Sequence, residues 1–124
     1  MVFIKNKLAE KADIVVRSVY SVALTFPQIH QFSIGEQLRR ASLSIVLNIV
    51  ESGGRIHLKE KQHLLNVSYG SLKETQYLVD FSFQIKLITV STHNELSQKL
   101  DELARIIYTI LYKENKKITI TLIA

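Results

Sequence analysis

The chain has one proline and four glycines in 124 residues, where average usage gives about nine glycines and about six prolines. An all-β sandwich or barrel needs a turn roughly every eight to twelve residues. Because proline and glycine are leading turn residues, their scarcity argues against such folds and predicts long helices. Apolar residues make up 47% of the chain and charged residues 22%, which suits one globular core. We therefore predict a single domain over residues 1–124.

Apolar residues recur at helical spacing in four segments. The first stripe contains Leu8, Ala12, Val15, Val19 and Ala23. Residues 33–36 and 92–95 both match the capping box that opens a helix, whereas Phe26-Pro27 and Gly53-Gly54 end helices. The predicted helices cover residues 5–24, 34–52, 57–86 and 93–113. Short connections between them predict an all-α fold, an antiparallel up-down four-helix bundle.

The last residues of the chain depart from the helical pattern. Apolar residues alternate with threonine over residues 117–124, and strict alternation is typical of a strand. We therefore expect residues 114–124 to form a short irregular or strand-like C-terminal tail. The tail could be disordered, pack on the bundle or pair with a neighbouring copy.

The second predicted helix carries apolar residues on two faces. One arc contains Leu38, Ala41 and Ile45, and a second arc lies roughly opposite. A helix that is apolar on two sides is buried on two sides, so the second arc predicts a homo-oligomer interface. The alternative is that this helix is the central helix of a monomer. The predicted interface residues are Arg39, Leu43, Val46, Leu47 and Val50.

A line of polar residues lies between these two arcs. It runs through Arg40, Ser44, Asn48 and Glu51, at positions that share one side of the helix. The next helix adds Glu74, and a buried arginine needs a carboxylate. We therefore expect Arg40 to pair with Glu74 or Glu51 in a network that fixes helix register. The alternative interpretation is a small polar site between helices.

The chain is basic, with 16 lysines and arginines against 11 acids and a net charge of +5. Such charge permits binding to nucleic acid. Two solvated clusters are the candidate phosphate contacts, and the alternative is that they serve solubility and compensate the charge at helix C-termini. Their members are Arg55, Lys59, Lys61, Lys113, Lys116 and Lys117. No aromatic cluster lies among the basic residues, and aromatics such as Tyr69, Tyr77, Phe81 and Phe83 mostly fall on positions of the third helix that a core would use. We therefore expect phosphate contacts and no base-stacking platform.

No pattern of catalytic or metal-binding residues emerges from the chain. It lacks cysteine, which excludes disulfides and thiolate ligands. Glu60 and His63 match one pair of a di-iron bundle, but such a site needs two pairs and two further glutamates. We expect no catalytic residues, metal or cofactor. The longest apolar stretch, residues 45–50, is too short to cross a membrane, so we expect a cytoplasmic protein without membrane contact.

Several motifs in order resemble one protein family. They are Phe26-Pro27, then Gln37-Leu38-Arg39-Arg40-Ala41-Ser42-Leu43-Ser44-Ile45, then Asn48-Ile49-Val50-Glu51, then Gly54-Arg55, then Gly70-Ser71-Leu72-Lys73-Glu74. Together they resemble the bacterial four-helix bundles encoded in intervening sequences of 23S ribosomal RNA genes. Val50 and Ser52 depart from the family pattern, which usually has alanine and glycine there.

The resemblance implies a four-helix bundle that can assemble into a ring of five. The sequence is also similar to the accessory bundle of diversity-generating retroelements, which implies RNA and a reverse transcriptase, or another protein, as partners. Five copies would carry a charge of about +25, which attracts polyanions. We expect a non-enzymatic RNA-binding oligomer. The alternative is a protein-interaction scaffold whose basic charge is incidental. The third hypothesis is an enzyme or metal protein that uses the polar line.

Overall fold

The computed structural model describes the backbone of residues 6–123 and the side chains of residues 6–113. The four main helices are α1 (Lys7–Leu24), α2 (Glu36–Gly53), α3 (Leu58–Gln84) and α4 (Val90–Ile123). Each packs on the helix before and after it in sequence, and α4 returns to α1. This cyclic order is that of the predicted up-down four-helix bundle, so the predicted fold is confirmed.

Side-chain contacts between neighbouring helices show that they run antiparallel. Between α2 and α3, Ser44 contacts Ser71 and Ser52 contacts Lys61. Residue numbers therefore rise along one helix as they fall along the other. Among the described residues, the α2–α3 contact is the most extensive, and the α1–α4 contact is the smallest between neighbouring main helices. The core lies along the bundle axis. Its fully buried large residues are Leu38, Ile45, Ile49, Leu72, Leu96, Leu100, Leu103 and Ile107.

The entry into α2 differs from the prediction. A helical turn at Gln28–His30 and a five-residue π-helical turn at Gln31–Gly35 lead directly into α2. The Ser33 hydroxyl donates to the carbonyl of His30 at 3.3 Å, so it does not cap a helix start. The helical segment begins directly after Pro27, whose fixed φ suits that position. A Cβ on Gly35 would lie 3.0 Å from the carbonyl oxygen of His30 and 3.2 Å from Arg39 Nη1, which explains the glycine.

The fourth helix begins earlier and ends later than predicted. The Thr89 hydroxyl accepts a hydrogen bond from the Thr92 amide at 3.1 Å, so Thr89 is the cap and α4 starts at Val90. At its other end α4 continues to Ile123. The predicted irregular or strand-like tail is therefore wrong, because the helical backbone carries on through the threonine alternation. Nothing in the segment after residue 93 breaks a helix, since it contains neither glycine nor proline.

Candidate functional site

Part of the predicted polar line forms a seam between α2 and α3. The hydroxyls of Ser44 and Ser71 lie 2.8 Å apart, and Asn48 Nδ2 donates to the Ser44 carbonyl at 2.8 Å and to its hydroxyl at 3.0 Å. Deeper in the bundle, the buried Ser68 hydroxyl donates to the carbonyl of Ile45 at 2.7 Å. These small polar groups bring the two helices close together and fix their register.

The charged members of that line do not join the seam, and here the prediction is wrong. Arg40 and Glu74 are both exposed, and neither forms an ion pair with any residue that the structure describes. Glu51 is exposed as well and pairs instead with Arg55 at 2.7 Å. Arg40 lies one turn before Ser44 and Glu74 three residues after Ser71, so both lie at the solvent edge of the seam.

The second apolar arc of α2 lies on the surface of the single chain. Leu43 is 42% exposed, Leu47 55% and Val50 48%; we call these three residues the outer face of α2. Val46, predicted to share this interface, is 6% exposed and packs in the chain's own core, because it lies on the flank of the arc that turns toward α1. Arg39 is half-buried and donates to Gln31 Oε1 at 2.8 Å.

Helix α3 continues this apolar surface beside the seam. Val67, one turn before Ser71, is 39% exposed. A Cβ built on Gly70 would meet no atom within 4 Å. A glycine inside a helix costs about 1 kcal/mol relative to alanine, and no contact within the described chain requires one here.

The side chains predicted to contact phosphate differ in whether they already bind other groups of the protein. Arg55 Nη2 donates to Glu51 Oε1 at 2.7 Å, and this hydrogen bond, with the Glu51 charge, raises the pKa of Arg55 above its ordinary value. Lys61 Nζ donates to the carbonyl of Ser52 at 3.3 Å, where it caps the end of α2. Lys59 and Lys113 are exposed and form no ion pair with a described residue. The side chains of Lys116 and Lys117 lie outside the described residues.

One polar cluster on α3 and α4 has no counterpart in the sequence prediction. His93 Nε2 lies 2.7 Å from Asp80 Oδ1, and its ring stacks on Phe83 with centroids 4.5 Å apart. The Ser97 hydroxyl lies 3.5 Å from the same nitrogen. Because both partners meet Nε2, the cluster lacks the relay of nucleophile, base and orienting acid. Asp80 and His93 are thirteen residues apart across a turn, so no spacing rule predicts their contact.

The described side chains contain no group of three or more histidines, aspartates or glutamates placed to hold a metal ion. Glu60 and His63 are both exposed at the start of α3. They border an open cleft with Arg55, Lys59 and Leu64. Within residues 6–123, no helix combines the length and apolar character that a membrane span needs.

The model of one protein family, described as 23S rRNA-intervening sequence protein, matches residues 5–109. The chain belongs to this family. The match covers all of α1, α2 and α3 and most of α4. A comparison of the chain with curated proteins found no match.

A solved structure supports the fold of this family member. It is a protein of unknown function from the S23 ribosomal protein family of Bacteroides thetaiotaomicron. The two chains share 20% identity with a TM-score of 0.74, over 84% of this chain and 97% of that one. At this identity the similarity establishes the bundle fold alone.

Proposed function

We propose that this 23S rRNA-intervening sequence protein is a non-enzymatic, cytoplasmic homo-oligomer that binds RNA through its basic surface. The main support for the proposal is the exposure of the outer face of α2 in the single chain. Its three large apolar side chains are 42–55% exposed in the single chain. They repeat at helical spacing on one surface, and contiguous apolar patches of this kind mark interaction sites.

Assembly of identical copies explains several features together. A copy seated on the outer face of α2 would cover its leucines and valine and gain roughly 25 cal/mol for each Å² of apolar surface buried. Val67 would extend the contact across the seam. A close approach of the partner backbone to α3 would also explain why position 70 is a glycine, since a side chain there would block the approach. The resemblance to ring-forming bundles favours five copies.

The charge distribution supports RNA as the partner of such an assembly. Each chain carries +5, and symmetry brings several copies of the same basic groups together. Lys59 and Lys113 extend into solvent, and neither forms an ion pair with a described residue. Arg40, which we expected inside the bundle, adds a third exposed cation. The family description refers to 23S rRNA, which agrees with this partner class.

Two measurements on the purified chain test the proposal. Light scattering should give a mass several times 14.2 kDa, and fluorescence anisotropy should show RNA binding that weakens steeply as salt rises. A monomer at micromolar concentration would overturn the assembly. Absence of RNA binding at low salt would overturn the RNA-binding function.

A protein-interaction scaffold is the second candidate, and one observation favours it. Ile29 and Phe32, in the turn before α2, are 83% and 81% exposed. Exposed apolar side chains at one end of a bundle fit a protein partner such as a reverse transcriptase. A purified partner that binds the chain after ribonuclease treatment, and loses affinity on Phe32→Ser, would support the scaffold over RNA binding.

A further inference from the structure

Several tyrosines of α3 and α4 are exposed to solvent, among them Tyr77, which we expected at a core position of α3. Tyr77 is 65% exposed, Tyr108 58% and Tyr112 53%. Tyr69 is half-buried beside Tyr108, with ring centroids 6.1 Å apart and planes tilted by 46°. The expectation of a core position is therefore wrong for Tyr77.

A lysine joins this tyrosine pair. Lys73 Nζ lies 5.3 Å from the centroid of the Tyr69 ring, within the range of a cation–π contact. Lys73 is itself exposed and forms no ion pair with a described residue. Tyr69, Lys73 and Tyr108, which we call the tyrosine platform, thus combine aromatic rings and a positive charge on one open surface.

The groove between α3 and α4 changes character on either side of the platform. Toward the start of α3, a cleft is lined by Lys59, Gln62, His63, Asn66 and Leu111. Toward the end of α3, the lining contains Gln76, Asp80, Ser97, Gln98 and Asp101, and Asp101 pairs with Arg105 at 2.6 Å while Asp80 lies 2.7 Å from His93 Nε2. The Lys59 side therefore offers a cation without an ion pair to a polyanion, whereas the basic groups beyond the platform already contact these carboxylates.

We propose that the tyrosine platform stacks an unpaired base of single-stranded RNA, while Lys73 contacts a neighbouring phosphate. This inference rests on the proposed RNA binding and names its site. Aromatic rings bind bases of any sequence because every base has a π-face. Tyr112 lies four residues after Tyr108, about 6 Å along α4, and offers a second ring toward the Lys59 side.

The platform requires unpaired bases, and this separates it from binding by charge alone. In duplex RNA the bases are stacked within the helix, and proteins read mostly its shape, phosphates and 2′-hydroxyls. A labelled oligoadenylate and the same strand annealed to oligouridylate are suitable probes for anisotropy. We expect the unmodified protein to bind the single strand more tightly than the duplex at equal salt.

Three tyrosine variants test the site. Tyr108→Ala should weaken single-strand binding by about tenfold, and Tyr108→Phe should retain it, because the ring remains. Tyr77→Ala is the matched control: Tyr77 is more exposed than Tyr108 but lies two turns further along α3 than Tyr69, near Asp80. The chain has no tryptophan, so its emission comes from tyrosine, and Tyr108→Phe should reduce the quenching that oligoadenylate causes.

Each contrary outcome has a distinct meaning. If Tyr108→Ala binds the single strand as the unmodified protein does, the platform is wrong while RNA binding stands. If Tyr108→Ala lowers the mass in light scattering, this face is a contact between copies, and the platform is equally overturned. If neither RNA form binds at low salt, the proposed function itself fails.

Discussion

At the scale of single residues, Gln31 connects the end of α1 to α2. Its Nε2 donates to the carbonyl of Ala23 in the last turn of α1 at 3.1 Å and to that of Phe26 in the following turn at 2.7 Å. Its Oε1 and main-chain carbonyl accept from Arg39 at 2.8 and 3.1 Å. We expected Arg40 to be the buried arginine of α2. The structure instead has Arg39 half-buried, and Arg40 extends into solvent.

Replacing the two arginines separately tests this arrangement. Arg39→Ala should lower the free energy of unfolding by about 1–3 kcal/mol, since it removes two charge-assisted hydrogen bonds. Arg40→Ala should change it by less than about 0.5 kcal/mol, as an exposed side chain without a described partner does. Urea unfolding at one fixed protein concentration is the measurement. The reverse order would show that Arg40 becomes buried beside a carboxylate when copies assemble.

Lys86 has a left-handed backbone, with φ of 65°. It ends α3 in a Schellman motif, in which the Leu87 amide donates to the Ser82 carbonyl at 2.8 Å and the Lys86 amide to the Phe83 carbonyl at 3.0 Å. Glycine adopts this conformation without steric cost. Lys86→Gly should raise the free energy of unfolding by up to about 1 kcal/mol. Thermal unfolding checks this, with Lys73→Gly inside α3 as the destabilising control.

At the scale of helices, local patterns predicted where helices exist better than where they begin and end. The stripe of α1 predicts its core directly, since Ala12, Val15, Val19 and Ala23 are all buried. The alternation in residues 117–124 predicted a strand. However, a strand needs a neighbour to pair with, and no strand occurs among residues 6–123. Adding residues to an existing helix costs little, so α4 continues.

The outer face of α2 yields the prediction that belongs to this scale. Leu47→Glu should convert the oligomer to a monomer, because a charge in the contact between copies would be desolvated without a partner. Ile14→Glu is the matched control, since Ile14 is an exposed apolar residue of α1 at 63%. Light scattering should show a reduced mass for the first variant alone. An unchanged mass for Leu47→Glu, with the helical signal intact, would contradict an interface on this face.

At the scale of the whole molecule, the bundle was predictable and the charged contacts of its candidate site were not. Four apolar stripes with short connections have few ways to bury their faces, so pattern alone leads to the bundle. The hydroxyl seam at Ser44 also followed from helical geometry. Whether Glu51 pairs with Arg40 or with Arg55 depends on distances of a few ångströms, which the spacing of residues along the sequence does not determine. The exposure of Tyr108 likewise depends on how α3 and α4 pack.

The salt dependence of RNA binding tests the charge of the assembled molecule. Removing one cation that binds a phosphate should make the slope of log K against log salt shallower by about 0.7 for a single strand. Lys59→Gln and Lys113→Gln should each reduce the slope and weaken binding to all sequences alike. Arg17→Gln is the control, because Arg17 already pairs with Asp13 at 2.9 Å on α1. Slopes unchanged in both lysine variants would show that the phosphates bind another surface, and a larger change for Arg17→Gln would place that surface on α1.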